Sequence, residues 1–233
     1  MGNIDINFDF RSDTPPGKDP DSFSPRLRSY HKLLWSKPLP NGKLFELVDT
    51  KDKTYLYHHS ELGEFFLSSD SVIHSFSKWA SMAHIVNQFN KGEVEKFKSL
   101  GYTIGGMMIF PGNRIDGKAT INGARGFHPL IKDRIDLTLE CIRRYYNNEA
   151  SPLEDTLSRY SDFFALFDNF KGYVDFFLLQ DLLSKDYSAI EFFMPFENFK
   201  TPAVPKTFET YCSYKDLAME FVNRRNQRIL SVI

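Results

Sequence analysis

Apolar residues change period along this chain, and that change most limits the fold. Strict alternation marks Ile4, Ile6, Phe8 and Phe10 against Asp5, Asn7 and Asp9, the pattern of a strand with one buried face. Leu44–Val48, Thr54–His58 and Glu64–Leu67 are further short strand candidates between turn-rich segments, and Tyr102–Phe110 is another, with Gly105-Gly106 marking a bulge or a close backbone approach. Beyond about residue 130 the period becomes helical. The combination predicts an α+β fold: a small, mostly antiparallel sheet packed with helices, and a C-terminal half that is mainly helical. With 233 residues and only a short linker with two prolines, Thr201–Pro205, the chain reads as a single domain, 1–233.

Helix boundaries follow from local chemistry. Ser24-Pro25 supplies an N-cap and a first-turn proline for a helix to about Ser36, which Pro38 stops. Ser69 or Asp70 caps a predicted helix to about Asn90, with Val72, Ile73, Phe76, Trp79, Ala80, Ala83 and Val86 inward. A shorter helix covers Glu93–Leu100, and Gly101 ends it. Further helices are expected over about 130–147, 151–167, 173–184 and 208–230, with a short strand at Ile190–Phe196. Residues Arg11–Pro25, with four prolines, form a loop or extended arm.

Composition removes several function classes. Lys+Arg is 29 against Asp+Glu 30, which excludes the bulk positive charge of a nucleic-acid coat or polybasic membrane binder. No apolar run reaches the roughly 18 residues of a membrane helix. Two cysteines, Cys141 and Cys212, exclude a disulfide framework and a Cys-rich zinc module. The N-terminus shows no secretory signal, and Ile6 stands where a myristoylation motif wants Ser or Thr. A cytoplasmic protein with reduced thiols is expected, with no membrane partner.

The most unusual segment is Pro111–Pro129, PGNRIDGKATINGARGFHP, which carries four glycines and no clear period. Glycines let backbone N–H groups converge on an anion, and Arg114, Lys118 and Arg125 add cations that bind phosphate, with Asn122 positioning it. The segment is not a P-loop: Ala119 follows Gly117-Lys118 where a magnesium-holding hydroxyl would stand. His128, Asp136 or Glu140 would supply any acid–base step. Asp136, Glu140 and Arg143 share one helix face, so ordinary ion pairing is the competing reading. Residues 111–147 carry seven basic against four acidic side chains, and Glu149–Asn198 carries ten acids against three bases. The two segments can pair with each other or shape a field that draws anions.

Other patterns fit known chemistries less well. Asp9, Asp13, Asp19 and Asp21 could hold a divalent cation, or simply form turns, and the spacing does not match a phosphatase nucleophile. The six histidines show no HExxH or HxH spacing. YLYHHSELGEFFLSSDS loosely resembles the first strands of ADP-ribosyltransferase toxins, which would have His58 help hold nicotinamide dinucleotide and would need a later strand Glu, for which Glu191 is the candidate. The aromatic doublets, Phe163-Phe164 and Phe176-Phe177 among them, suit core packing or a homodimer face.

The stretches NFDFRSDTPPGKDPDSFSP, YHKLLWSKPLPNG, MIFPGNRIDGKATINGARG and DRIDLTLECIRRYY resemble an uncharacterised bacterial family of unknown function, over about Ile6–Arg228. The resemblance implies a bacterial or phage origin and assigns no role to any residue and no cofactor. The leading expectation is an intracellular protein that binds a phosphate-bearing ligand, a nucleotide or nucleic-acid end, at Gly112–His128. Two others stand beside it: a non-catalytic interaction protein of a stress or phage-response system, and a divergent ADP-ribosyltransferase-like toxin. Whether the chain is an enzyme is left open by its residues.

Overall fold

The computed structural model describes residues 4–52 and 54–233. It is an α+β fold of two small antiparallel sheets packed with helices. Helices α1 (Pro20–Phe23) and α2 (Pro25–Trp35) come first, followed by the ribbon β1 (Lys37–Pro38) and β2 (Leu44–Phe45). The main sheet has the order β3 (Val48–Asp49), β4 (Leu56–Ser60), β5 (Gly63–Ser71) and β6 (Met107–Pro111), every pair antiparallel. Between β5 and β6 run α3 (Ala83–Val86) and α4 (Lys91–Gly101). After β6 come α5 (Ile121–Phe127), α6 (Ile135–Tyr146), α7 (Glu154–Ser158), α8 (Ser161–Ala165), α9 (Phe170–Phe177) and the long α10 (Phe208–Val232).

Several elements match the sequence. Ser24 Oγ accepts the Leu27 N–H and Pro25 opens α2, the predicted cap and first turn. Of the strand expected over Tyr102–Phe110, the part from Met107 forms as β6, fully buried as an apolar run without alternation requires, while Ile104–Gly106 makes a helical turn. The aromatic doublets are mainly core: Phe163, Phe164, Phe176 and Phe177 are all buried and pack ring against ring around Phe167 and Tyr173.

Several expectations need correction, among them the helix expected over 151–167, which divides into α7 and α8. Ile4–Phe10 forms no strand: the Asp5 and Asp9 carboxylates accept the backbone N–H two residues on, from Asn7 and Arg11, and curl the chain into turns that still bury Ile4, Ile6 and Phe10. The helix expected from Ser69 is absent. β5 continues through Ser71, held in register by Met107 of β6, and Phe76 at φ 54° breaks any helical continuation before α3. The helix expected over 173–184 instead ends at Leu178, which takes the left-handed cap conformation at φ 55°. Ile190–Phe196 contributes one bridge, Ile190 to Leu183, rather than a strand.

The long C-terminal helix is bolted to the sheet through the Gly105-Gly106 pair. Asn226 Oδ1 accepts the Gly105 N–H at 2.7 Å, and its amide donates to Thr103 Oγ1 at 3.0 Å. The fully buried Arg225 donates to the carbonyls of Gly105, Met107 and Phe177 at 2.9–3.0 Å. A Cβ on Gly105 would meet Asn226 at 2.6 Å, and one on Gly106 would meet the Gly101 carbonyl oxygen at 2.3 Å, so the doublet marks a close backbone approach. Among the described residues no helix is long and apolar enough to cross a membrane. Replacing Asn226 by Ala leaves the Gly105 N–H buried without an acceptor. It is expected to lower the unfolding free energy by about 2 kcal/mol in a denaturant titration; an unchanged midpoint would contradict this role.

Candidate functional site

The arm before α1, the segment after β5 and the end of α4 enclose a cavity of about 400 Å³. The arm is held rather than loose. Asp9 and Glu95 clamp the Arg11 guanidinium at 2.5 and 2.7 Å, and Asp13 accepts from Ser24 Oγ at 2.6 Å and from the Arg26 N–H at 3.0 Å. Gly17 at φ 75° turns the Pro15-Pro16 stretch back toward α1, and Lys18 Nζ lies over the Phe23 ring.

The opposite wall, Ser71–Lys78, is pinned from α10. Tyr214 Oη donates to the His74 carbonyl at 2.8 Å and Tyr211 Oη donates to the Ser75 carbonyl at 2.6 Å. His74 Nδ1 accepts the Phe76 N–H at 2.9 Å, which places the proton of the neutral ring on Nε2. Burial holds this histidine below its ordinary pKa, with Arg125 and Lys78 adding to the shift against the pull of Asp133.

The charge on this lining is one-sided. Arg11, Lys18, Lys78 and Lys98 face the cavity and, among the described residues, no carboxylate does, although the whole chain has a net charge of -1. Lys18 and Lys78 form no ion pair among the described residues, whereas Arg11 and Lys98 share Glu95. The hydroxyls of Ser75 and Ser77, bonded to each other, line the same walls, while those of Thr14 and Ser71 donate to the carbonyls of Phe10 and Ile73.

Beside Ser71 lies an ionic cluster of a buried arginine and partly buried carboxylates. Arg125, with no exposed surface, bonds Asp70 Oδ2 at 2.5 Å, the Asp133 carbonyl at 2.7 Å and Thr138 Oγ1 at 3.2 Å, with Asp133 Oδ1 at 3.6 Å. Burial raises the Asp70 carboxyl to about 6 despite Arg125, and Asp133 adds to the rise. Asp21 of α1 is pushed well up by burial and by the charges of Asp70 and Asp19, and its Oδ1 has no hydrogen-bond partner among the described residues.

The residues singled out in the sequence are not gathered at one place. The segment 111–129 is not all loop, because Thr120 caps the Gly123 N–H and opens α5. Arg114 and Lys118 are exposed on the remaining loop, which Arg159 and Tyr160 tie down through the carbonyls of Ala119 and Asn113. Asn122 donates to Ser68 Oγ at 3.2 Å, and its Oδ1 is buried without a partner among the described residues. Arg125 faces inward, not to the loop surface. His128 ends α5, its Nδ1 accepts the Leu130 N–H at 3.2 Å, and burial lowers its pKa.

Asp136 is fully buried, paired with Arg134 and accepting the Phe193 N–H at 2.9 Å. Glu140 is bound by Arg143 and Arg144 at 2.8 and 2.7 Å. None of these seven residues lines the cavity. His58 is packed between Phe45 and Phe65 with Nδ1 at 3.0 Å from the Glu46 carbonyl, while Glu191 is exposed. Of the early aspartates, Asp9 and Asp19 accept backbone N–H groups as helix caps, and Asp13 braces α2. Among the described residues no group of three or more His, Cys, Asp and Glu side chains is placed to hold a metal ion.

A match over residues 4–229 decides the family. The chain belongs to the family of unknown function DUF6994. Comparison with curated proteins and with solved structures finds no match. Membership of DUF6994 therefore brings no activity to the cavity, and its chemistry has to be argued from the side chains themselves.

The ionic cluster is structural support for the wall, because Arg125 joins α5, β5 and the turn before α6. Arg125→Met removes a buried cation from beside Asp70 and is expected to destabilise the protein by about 3 kcal/mol. Calorimetric unfolding reads this directly, and an unchanged transition would show that the cluster carries no such load.

Proposed function

We propose that the protein binds a phosphate-bearing ligand of nucleotide size in the cavity between the arm and the Ser71–Lys78 segment. The observation that carries this reading is a concave wall bearing four cations and no carboxylate in a chain of net charge -1. Lys18 and Lys78, free of ion pairs among the described residues, are the side chains with charge to offer, whereas Arg11 is already paired with Asp9 and Glu95. A volume of about 400 Å³ falls within the range of roughly 300–1,000 Å³ usual for small-molecule sites. The apolar sides of Phe97, Tyr102 and Ile73 provide surface for the uncharged part of such a ligand.

Charge-assisted contacts of this kind each contribute about 1.5–3 kcal/mol. Titration with a nucleoside monophosphate is the test. The Lys18→Ala/Lys78→Ala double variant is expected to bind at least about ten-fold more weakly, and Arg114→Ala/Lys118→Ala is expected to bind as the parent does. The reverse pattern would move the site to the glycine-rich loop. No binding by the parent protein, with phosphate ligands from inorganic phosphate to a short oligonucleotide, would overturn the reading.

A further inference from the structure

We propose that Lys37 is a reactive amine, and that it forms an imine with a small aldehyde admitted to a second cavity, between the β1–β2 ribbon and α9. This cavity shares no lining residue with the anion site, so the proposal does not depend on that reading. Its volume is about 470 Å³, within the roughly 300–1,000 Å³ of small-molecule sites. Pro38, Leu39, Pro40 and Phe176 give it largely apolar walls, and Lys37, Lys171 and Asp175 are its charged side chains.

The two lysines of this cavity are held differently. Lys171 pairs with Asp175 one turn along α9. Lys37 has no hydrogen bond or ion pair among the described residues; its Nζ lies 5.0 Å from the centre of the Trp35 ring and 4.7 Å from that of Phe176. The nearby carboxylates are committed elsewhere. Asp175 also accepts from Tyr187 Oη at 2.6 Å and Gln180 Nε2 at 2.9 Å, and Asp181 is bound by Arg228 at 2.8 and 2.9 Å. From α10 a second cation shares the indole: Arg225, with no exposed surface and bonded to carbonyls, stands 5.8 Å from the same ring. The ring faces favour an ammonium, but burial without a counter-ion and the charge of Arg225 oppose it. Burial first, and Arg225 next, lower Lys37 to about 8 against the pull of Asp175.

An amine desolvated beside another cation is an activated nucleophile. The ammonium first gives its proton to solvent. The nitrogen lone pair then adds to the carbonyl carbon, a C–N bond forms, and the carbonyl π pair moves to oxygen, which takes up the proton lost by nitrogen. Loss of water from this carbinolamine breaks the C–O bond and leaves C=N. Amine and aldehyde give imine and water, with no oxidant or reductant. The apolar walls suit an aldehyde with a short hydrocarbon chain and limit the water that would reverse the last step.

Butanal is the probe, with cyanoborohydride to reduce each imine to a stable secondary amine, and peptide mass spectrometry of the full chain locates the label. Lys171, on the same cavity and more exposed, is the internal reference. At about pH 7.5 an amine with a pKa of about 8 is roughly one-quarter neutral, against about one part in a thousand for an ordinary lysine. Lys37 is therefore expected to label at least about ten-fold faster than Lys171, after allowance for its lower basicity. Lys37→Met, which keeps the apolar stem, should lose that fast label. Competitive labelling of the unmutated protein with trace acetic anhydride gives a second reading: reactivity of Lys37 should rise with pH to a midpoint of about 8 and level off, while that of Lys171, raised by Asp175, goes on climbing. Butanal labelling of Lys37 no faster than of Lys171, or a Lys37 profile that climbs alongside that of Lys171, overturns the proposal.

Discussion

The guanidinium of Arg125 is the contact on which the site's architecture depends. It ties together β5 through Asp70, α6 through Thr138, and the preceding turn through the Asp133 carbonyl. A fully buried cation of this kind is costly unless its donors are all used and its charge is compensated. Here carboxylates on two elements surround it, and one of them sits directly behind the cavity wall. The same side chain therefore anchors β5 to α5 and α6 and gathers two partly buried carboxylates beside the cavity wall. A second buried arginine, Arg225, plays the matching part on α10, but with carbonyl acceptors in place of carboxylates. The cavity is the space left between these two anchored regions and the arm.

Charge organisation explains why net charge and segment charge misdirect. The basic stretch 111–147 is largely self-contained: Arg125 and Arg134 are buried with Asp70 and Asp136, and Arg143 and Arg144 share Glu140. Of its other cations, Arg114 and Lys118 lie on an exposed loop and Lys132 sets its ammonium over the Trp79 ring. The positive lining of the cavity instead gathers single residues from positions 11, 18, 78 and 98. No window of sequence contains that cluster, because the sheet and α4 bring its members together.

Much of the fold was legible in the residues. Caps such as Ser24-Pro25, the buried run of β6, the glycine pair at 105–106 and the long terminal helix all follow from local rules, since in each the local preference and the tertiary packing agree. The site was far less legible. Ser71–Lys78 has helical spacing of apolar residues, yet pairing of β5 with β6 through Ser71 overrides it and leaves a bent segment whose polar side chains face the cavity. Ile4–Phe10 alternates like a strand but has no neighbour to pair with, so Asx turns take over. Glycine content marked 112–128 as the anion loop, whereas Thr120 caps a helix there and turns Arg125 inward. Lys18 and Lys78 carried no sequence signal beyond their charge, and Asp21 could be seen only as one of several turn-forming aspartates.

The central claim is that the anion site is the cavity and not the glycine-rich loop. Backbone amide shift mapping with a nucleoside monophosphate tests it most directly, because the two locations share no residue. Saturable shifts are expected at Arg11–Lys18, Ser71–Lys78 and Lys98–Tyr102. Shifts concentrated at Gly112–Thr120, with those three segments unmoved, would contradict it.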